Sequence, residues 1–134
     1  MRRFVAALWV AGAAAVAAGP AFAGGDPVEG QKRFKVCMAC HRIGPDAGPL
    51  VGPPLNGIVG RKAAQYPEYP YSTAMKESGL TWDEATLTRY LHAPREVVPG
   101  TRMTFAGLRK DEDVANVIAY LKTFDANGNP VPPP

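Results

Sequence analysis

Two cysteines and a histidine, Cys37, Cys40 and His41, are spaced as C-x-x-C-H. In one turn of helix, positions i and i+3 lie on the same side, so both thiols could add to the two vinyl groups of a single haem. The histidine that follows could then bind the iron from that side. This spacing is typical of covalent c-type haem attachment.

The motif has two other interpretations. A structural zinc site needs four ligands, but the chain has only these two cysteines and, besides His41, one other histidine, His92. A redox-active disulfide is expected in a βαβ context, and no strand pattern surrounds the motif. Both alternatives are therefore weaker than a covalent haem.

The N-terminus has the pattern of a secretory signal peptide. Arg2 and Arg3 precede an apolar run over residues 4–18, and Ala21-Phe22-Ala23 resembles a cleavage site. An uncleaved membrane anchor is the alternative, but the run is shorter than the about 20 residues that a span needs. We therefore predict a leader over residues 1–23, cleavage after Ala23 and a periplasmic protein.

Composition predicts a single domain over residues 24–126 and a disordered, Pro-rich tail over 127–134. The formal charge of +3 includes the two leader arginines, so the mature chain is nearly neutral. Nothing favours nucleic-acid binding or stable membrane insertion, and we expect a monomer. With 14 glycines and 14 prolines, much of the chain should be loop, and a bound haem would complete its small core.

The helix signals predict an all-α fold. Asp26 is expected to be the N-cap of the first helix, with Pro27 at its first position and Glu29 completing a capping box; this helix should run to about Cys37. Gly30 inside it costs about 1 kcal/mol against alanine, which suggests close packing there.

Three further helices follow a loop over residues 42–60. A short helix is predicted between Ser72 and Gly79. Another should be capped by Thr81 and stop before Pro94. The last should start near Asp111, where acidic residues suit a helix N-terminus.

A second iron ligand would decide the function, because an open position would permit ligand binding or oxygen chemistry. Met38 is fixed within the attachment turn. His92 is expected to face solvent, and Met75 lies in a short helix and is more often core. Met103 lies in an extended Pro-Gly segment, where a side chain can be presented to a flat ring, and is favoured.

The sequence resembles the soluble class I cytochromes c, of mitochondrial type and with bacterial periplasmic relatives. The similarity spans residues 26–124 and, besides the C-x-x-C-H motif, is carried by residues 52–62, 71–72, 79–82, 90–94, 99–107 and 118–121. It implies a small fold of about four or five helices, with long loops around one covalent haem.

The resemblance also implies roles for individual residues. Cys37 and Cys40 would hold the haem, and His41 and Met103 would bind its iron. The Pro53 carbonyl would accept the His41 ring N–H. The Tyr90 hydroxyl would face the Met103 sulfur. Four residues would hold the haem propionates: Arg61, Tyr71, Trp82 and Thr101. Phe105 would cover the haem edge. Leu55 is expected against the haem for a different reason, because the apolar residues of its loop follow no clear period and suit a flat cofactor.

The resemblance implies a one-electron carrier rather than an enzyme. Four basic residues would surround the exposed haem edge: Arg95, Arg102, Arg109 and Lys110. Arg42, which directly follows His41, is expected to join them in docking a partner. Its partners would be redox proteins with acidic patches: a membrane cytochrome complex, an oxidase, a reductase or a photosynthetic centre. A haem enzyme or gas sensor with a displaceable methionine, and a membrane-anchored carrier, are the alternatives.

Overall fold

A computed structural model describes residues 24–132; the predicted leader lies outside them. Five helices follow one another: α1 Pro27–Phe34, α2 Thr73–Glu77, α3 Glu84–His92, α4 Pro94–Val97 and α5 Asp111–Leu121. Across the described part of the chain, β-structure amounts to two isolated bridges. The predicted all-α class is confirmed. No helix in this range is long and apolar enough to cross a membrane.

The first helix begins as predicted but ends earlier. The Asp26 carboxylate accepts hydrogen bonds from the Val28 and Glu29 N–H groups, at 2.8 and 3.3 Å. Glu29 does not complete a capping box; it pairs with Lys32 at 2.6 Å. After Phe34 the chain continues in successive turns, so the predicted end at Cys37 was three residues too late.

The third helix is capped by a different residue from the one predicted. The Asp83 carboxylate accepts the Thr86 N–H at 2.7 Å, so Asp83 is the N-cap. Thr81 lies earlier, in a bridge with Lys62. The short helix α4 was not predicted, because Pro94 suggested only a stop. Proline also suits the first position of a new helix, and that is where Pro94 lies.

Helices α1 and α5 pack closely at Gly30. A Cβ atom there would collide with the Asn116 carbonyl and lie 2.8 Å from the Tyr120 Cβ. Beside it, the Phe34 and Tyr120 rings are 5.3 Å apart, and the Asp26 N–H donates to the Asn116 side chain at 2.7 Å. The close packing predicted at Gly30 is confirmed, and it fixes the turns that follow α1.

The segment after α5 differs from the frayed tail that the sequence suggested. Its described part, residues 127–132, turns back on the end of α5. Gly128 donates its N–H to the Asp125 carbonyl at 3.0 Å, and Val131 donates to the Thr123 carbonyl at 2.8 Å. Composition alone suggested a disordered tail. It could not predict these hydrogen bonds, because they form only when the chain folds back on the end of α5.

Candidate haem site

A cavity of about 320 Å³ opens between the helices and the long loops. It brings together side chains that are distant in the sequence. All of the predicted haem-contacting residues line it: Cys37, Cys40, His41, Pro53, Leu55, Arg61, Tyr71, Trp82, Tyr90, Thr101, Met103 and Phe105. Because most other lining groups are apolar, the cavity suits a flat hydrophobic cofactor with a few polar substituents.

The two cysteines reach the cavity from a tight turn. Cys40 and His41 both donate their N–H groups to the Cys37 carbonyl, at 3.0 and 2.9 Å. The two thiols do not form a disulfide with each other, and both are half-buried. Burial, together with the neighbouring Cys40, raises the pKa of Cys37 to about 11. A free Cys37 is therefore a neutral thiol at physiological pH, and two thiols this close suit attachment of one group.

One ring nitrogen of His41 is fixed by the loop opposite. Its Nδ1 atom lies 2.7 Å from the Pro53 carbonyl oxygen. A carbonyl can only accept, so Nδ1 carries the proton and Nε2 keeps its lone pair for a metal. Burial lowers the pKa of His41, although the Pro53 hydrogen bond opposes this. The imidazole is thus held in the neutral, ligating form.

The loop that carries Met103 is ordered by hydrogen bonds from side chains. The Met103 N–H donates to the Thr101 Oγ1 at 3.2 Å, and Arg102 donates to the Pro70 carbonyl at 3.3 Å. The Tyr90 hydroxyl lies 3.3 Å from the same Thr101 oxygen; the resemblance had implied the Met103 sulfur as its partner. Burial raises the pKa of Tyr90, so this hydroxyl stays protonated.

The structure separates the other candidate ligands. Met75 also lines the cavity, so two methionines reach it. His92 was predicted to face solvent; it is partly exposed, and the described lining of the cavity does not include it. Its Nδ1 is 2.6 Å from the Leu108 carbonyl, and its Nε2 is 2.9 Å from the Asp111 carboxylate. One His92 nitrogen thus meets the loop before α5, and the other meets the first residue of α5.

The polar end of the cavity contains an incompletely paired guanidinium. Arg61 donates through Nη1 to the Asn56 carbonyl at 2.9 Å, but among the described residues its buried Nε has no partner. Burial lowers the Arg61 pKa, an effect that Tyr71 opposes. A buried N–H group without an acceptor is rare. A haem propionate would satisfy it, so the residues fit the predicted cofactor.

Some cavity residues were not predicted. Tyr69 lines the cavity, packs edge-on against Tyr71 at 4.8 Å and donates its hydroxyl to the Val51 carbonyl at 2.6 Å. It thereby joins two loops at the rim. Ser72 also lines the cavity as the cap of α2. The alternation of tyrosine and proline at residues 66–71 was the available signal for Tyr69.

The five predicted docking residues are exposed: Arg42, Arg95, Arg102, Arg109 and Lys110. Arg102 lines the cavity itself, whereas Arg95 lines a second hollow that Phe105 also lines. Within residues 24–132, the ion pairs involve other cations. These five charges are therefore available to a partner.

Comparison with known proteins shows which proteins this chain is similar to. The Cytochrome c family profile matches residues 27–125. Cytochrome c2 of Rhodomicrobium vannielii is 56% identical over 112 residues, covering 84% of this chain and 90% of that one. Cytochrome c2 of Rhodoblastus acidophilus is 55% identical over 105 residues, covering 78% and 98%.

The fold gives the same result. The structure of cytochrome cH from Methylobacterium extorquens matches with a TM-score of 0.70 and 46% identity, covering 74% of this chain and 99% of that one. The predicted class I fold and the covalent c-type haem with its iron are thereby confirmed, as is the general role of electron carrier. This chain belongs to the cytochrome c family.

Proposed function

We propose that this protein is a diffusible periplasmic one-electron carrier whose haem iron is bound by His41 and Met103. One observation carries the proposal: His41 and Met103 come from separate loops, yet they line one cavity together with both cysteines. His41 has its Nδ1 engaged by Pro53, which leaves Nε2 for the iron. With both residues bound, the iron would have no free position for an added ligand, as a carrier requires.

Bound haem would supply an iron that gains or loses one electron. The residues of the chain set the conditions for that change. The Met103 thioether is a soft ligand and favours the ferrous form, so His/Met ligation raises the potential relative to two histidines. The Pro53 hydrogen bond opposes this by making His41 a stronger donor.

Polar groups at one end of the cavity would hold the propionates. A buried carboxylate needs donors, and Arg61 offers its unpartnered Nε. Tyr71, Trp82 and Thr101 line the same cavity and would supply further donors. Phe105 would cover an edge of the ring. The apolar lining around Leu55 keeps water away, so little solvent must reorganise when the charge changes.

Location and partners follow from charge and from the leader. The predicted signal peptide, with cleavage after Ala23, supports export to the periplasm. The exposed cations near the cavity support docking to acidic patches on a membrane cytochrome complex, an oxidase, a reductase or a photosynthetic centre. We infer that the contacts are brief, as repeated electron transfer requires, and that the protein acts as a monomer.

Optical spectra of the purified protein in both oxidation states test the ligation. Met103→Ala should abolish the weak charge-transfer band that a methionine ligand gives to ferric haem, and the reduced variant should bind carbon monoxide. Met75→Ala is the matched control and should do neither. If Met75→Ala has these effects instead, the ligand assignment is wrong. Rapid binding of carbon monoxide by the unaltered reduced protein at neutral pH would instead support the gas-sensor or haem-enzyme alternative.

The attachment residues need a separate test. The double variant Cys37→Ala with Cys40→Ala should yield little folded, haem-containing protein. Haem that withstands denaturation and acid-acetone extraction in this variant would refute thioether attachment at these cysteines.

A further inference from the structure

We propose that the C-terminal segment 125–132 positions His41 by holding the loop over residues 42–57 against the body of the protein. This inference rests on the proposed ligation of the iron by His41. The family profile ends at residue 125, so nearly all of this segment lies beyond the matched region.

The segment is a closed turn. The Asp125 carboxylate accepts the N–H groups of Asn127 and Asn129, at 2.8 and 2.9 Å. The Asp125 N–H in turn donates to the Asn129 carbonyl at 3.0 Å. These hydrogen bonds lower the pKa of Asp125. The turn is thus stabilised by its own hydrogen bonds before it meets the loop.

Two glycines make the contact between the segment and the loop. Gly128 is buried, has a φ of 80° and lies so close to Gly44 that a Cβ atom would collide with the Gly44 carbonyl. The same Cβ would be 2.6 Å from the Asn56 Nδ2. On the loop, a Cβ at Gly57 would lie 2.7 Å from the Ala126 Cα. Backbone therefore meets backbone at both points, and neither tolerates a side chain.

The loop transmits this restraint toward the iron ligand. Its ends are joined by Asn56, whose side chain accepts the Gly44 N–H at 2.8 Å and donates to the Gly44 carbonyl at 2.9 Å. The Leu55 N–H donates to the Arg42 carbonyl at 2.9 Å. Pro53 lies two residues before Leu55, and Arg42 follows the iron ligand. The carbonyl that fixes His41 thus belongs to a loop held by the C-terminal segment.

A second route leads to the polar end of the cavity. The Asn56 carbonyl accepts a hydrogen bond from Arg61 at 2.9 Å. A shift of Asn56 would move the guanidinium as well as the Pro53 carbonyl. Loss of the segment's contact should weaken the hydrogen bond to His41 and make the imidazole a poorer donor. The ferric form would lose stabilisation, so the midpoint potential should rise.

The test compares two glycine substitutions in the haem-loaded protein. Gly128→Ala removes the close approach. Gly79→Ala is the matched control, because Gly79 also has a positive φ, 64°, but no atom of residues 24–132 lies within 4 Å of its Cβ position. NMR of the reduced protein should show the His41 Nδ1 proton exchanging about tenfold faster in Gly128→Ala, with a higher midpoint potential. Gly79→Ala should keep the original values of both.

A milder variant covers the case in which Gly128→Ala does not fold. Asp125→Ala opens the turn without adding bulk and should change both measurements in the same direction. Asp125→Asn keeps an acceptor oxygen and should restore them. The inference fails if the C-terminal segment loosens while the exchange rate of the His41 Nδ1 proton and the midpoint potential stay unchanged. It also fails if Gly79→Ala has equal effects. The spectra of the unaltered protein test the ligation itself, so the two failures are distinguishable.

Discussion

The Pro53 carbonyl oxygen lies 2.7 Å from the His41 Nδ1 atom, and this contact determines which nitrogen of the ring can bind iron. Gly52, immediately before the proline, packs against the imidazole. A Cβ there would lie 2.5 Å from the His41 Cε1 atom. Gly52 thus leaves room for the His41 ring, and the next residue, Pro53, supplies the carbonyl that fixes it.

Gly52→Ala should displace the His41 ring. Overpacking of this kind costs about 1–3 kcal/mol, and the displaced ring should bind iron less strongly. We expect a lower urea midpoint for the haem-loaded protein and a higher reduction potential. Gly48→Ala is the control, since no other part of the described chain lies within 4 Å of its Cβ position. Equal effects in the two variants would contradict the ring contact.

Gly30→Ala tests the crossing of α1 and α5. Alanine in a helix should gain about 1 kcal/mol over glycine, but the new Cβ would collide with the Asn116 carbonyl. Because backbone cannot move aside easily, we expect overpacking of about 3 kcal/mol to exceed the gain. Urea unfolding followed by circular dichroism measures the net loss. Unchanged or higher stability would mean that the helices do not approach closely there.

Local signals and distant contacts account for what the sequence could predict. Asp26 is followed at once by a helix-compatible proline, so its cap was readable. Asp83 was missed because Thr81 has the same capping chemistry two residues earlier, and only the bridge between Lys62 and Thr81 decides between them. The partners of His92 were not predicted because they come from the following loop and from α5, neither of which its own helix reveals.

The resemblance predicted the residues that line the cavity, but it did not predict the C-terminal turn that holds the loop beside them. The cavity lining was predicted because motif positions carry over residue by residue. The closed turn at Asp125 was not, because its hold on Gly44 joins residues more than eighty positions apart. Composition alone made the same segment look disordered. Long-range backbone contacts of this kind leave almost no trace in a single sequence.

The cap of α3 should make part of the stability depend on pH. The hydrogen bond from the Thr86 N–H lowers the pKa of Asp83. Its stabilisation is therefore present above the unfolded carboxyl pKa of about 4 and is lost as the pH falls through the lower folded value. Asp83→Asn keeps an acceptor for the cap but does not titrate.

Urea midpoints of the two proteins between about pH 6 and pH 2 measure this effect. The unaltered protein should lose more stability than Asp83→Asn on acidification, so the difference between them should shrink or reverse. Parallel curves would show that the Asp83 charge contributes nothing.

The exposed cations should steer the protein onto an acidic partner. Arg102 lines the cavity, and both Arg102 and Arg109 are exposed. Changing both to glutamate should slow electron transfer to a physiological acceptor at low salt, because steering raises association rates and falls steeply with ionic strength. The midpoint potential is measured alongside, because Arg102 also orders the Met103 loop by donating to the Pro70 carbonyl; slower transfer at an unchanged potential indicates weaker docking. Stopped-flow rates over a range of salt concentrations measure the effect.

Two other cations provide a control of equal charge. Lys32→Glu with Arg89→Glu makes the same change in net charge at residues that do not line the cavity. If position matters, this control should keep most of the original rate at low salt. All three proteins should converge near 1 M salt, where the screening length falls to about 3 Å. Equal slowing by both pairs would show that net charge alone acts, and an unaltered rate in the Arg102 and Arg109 variant would refute docking at this edge.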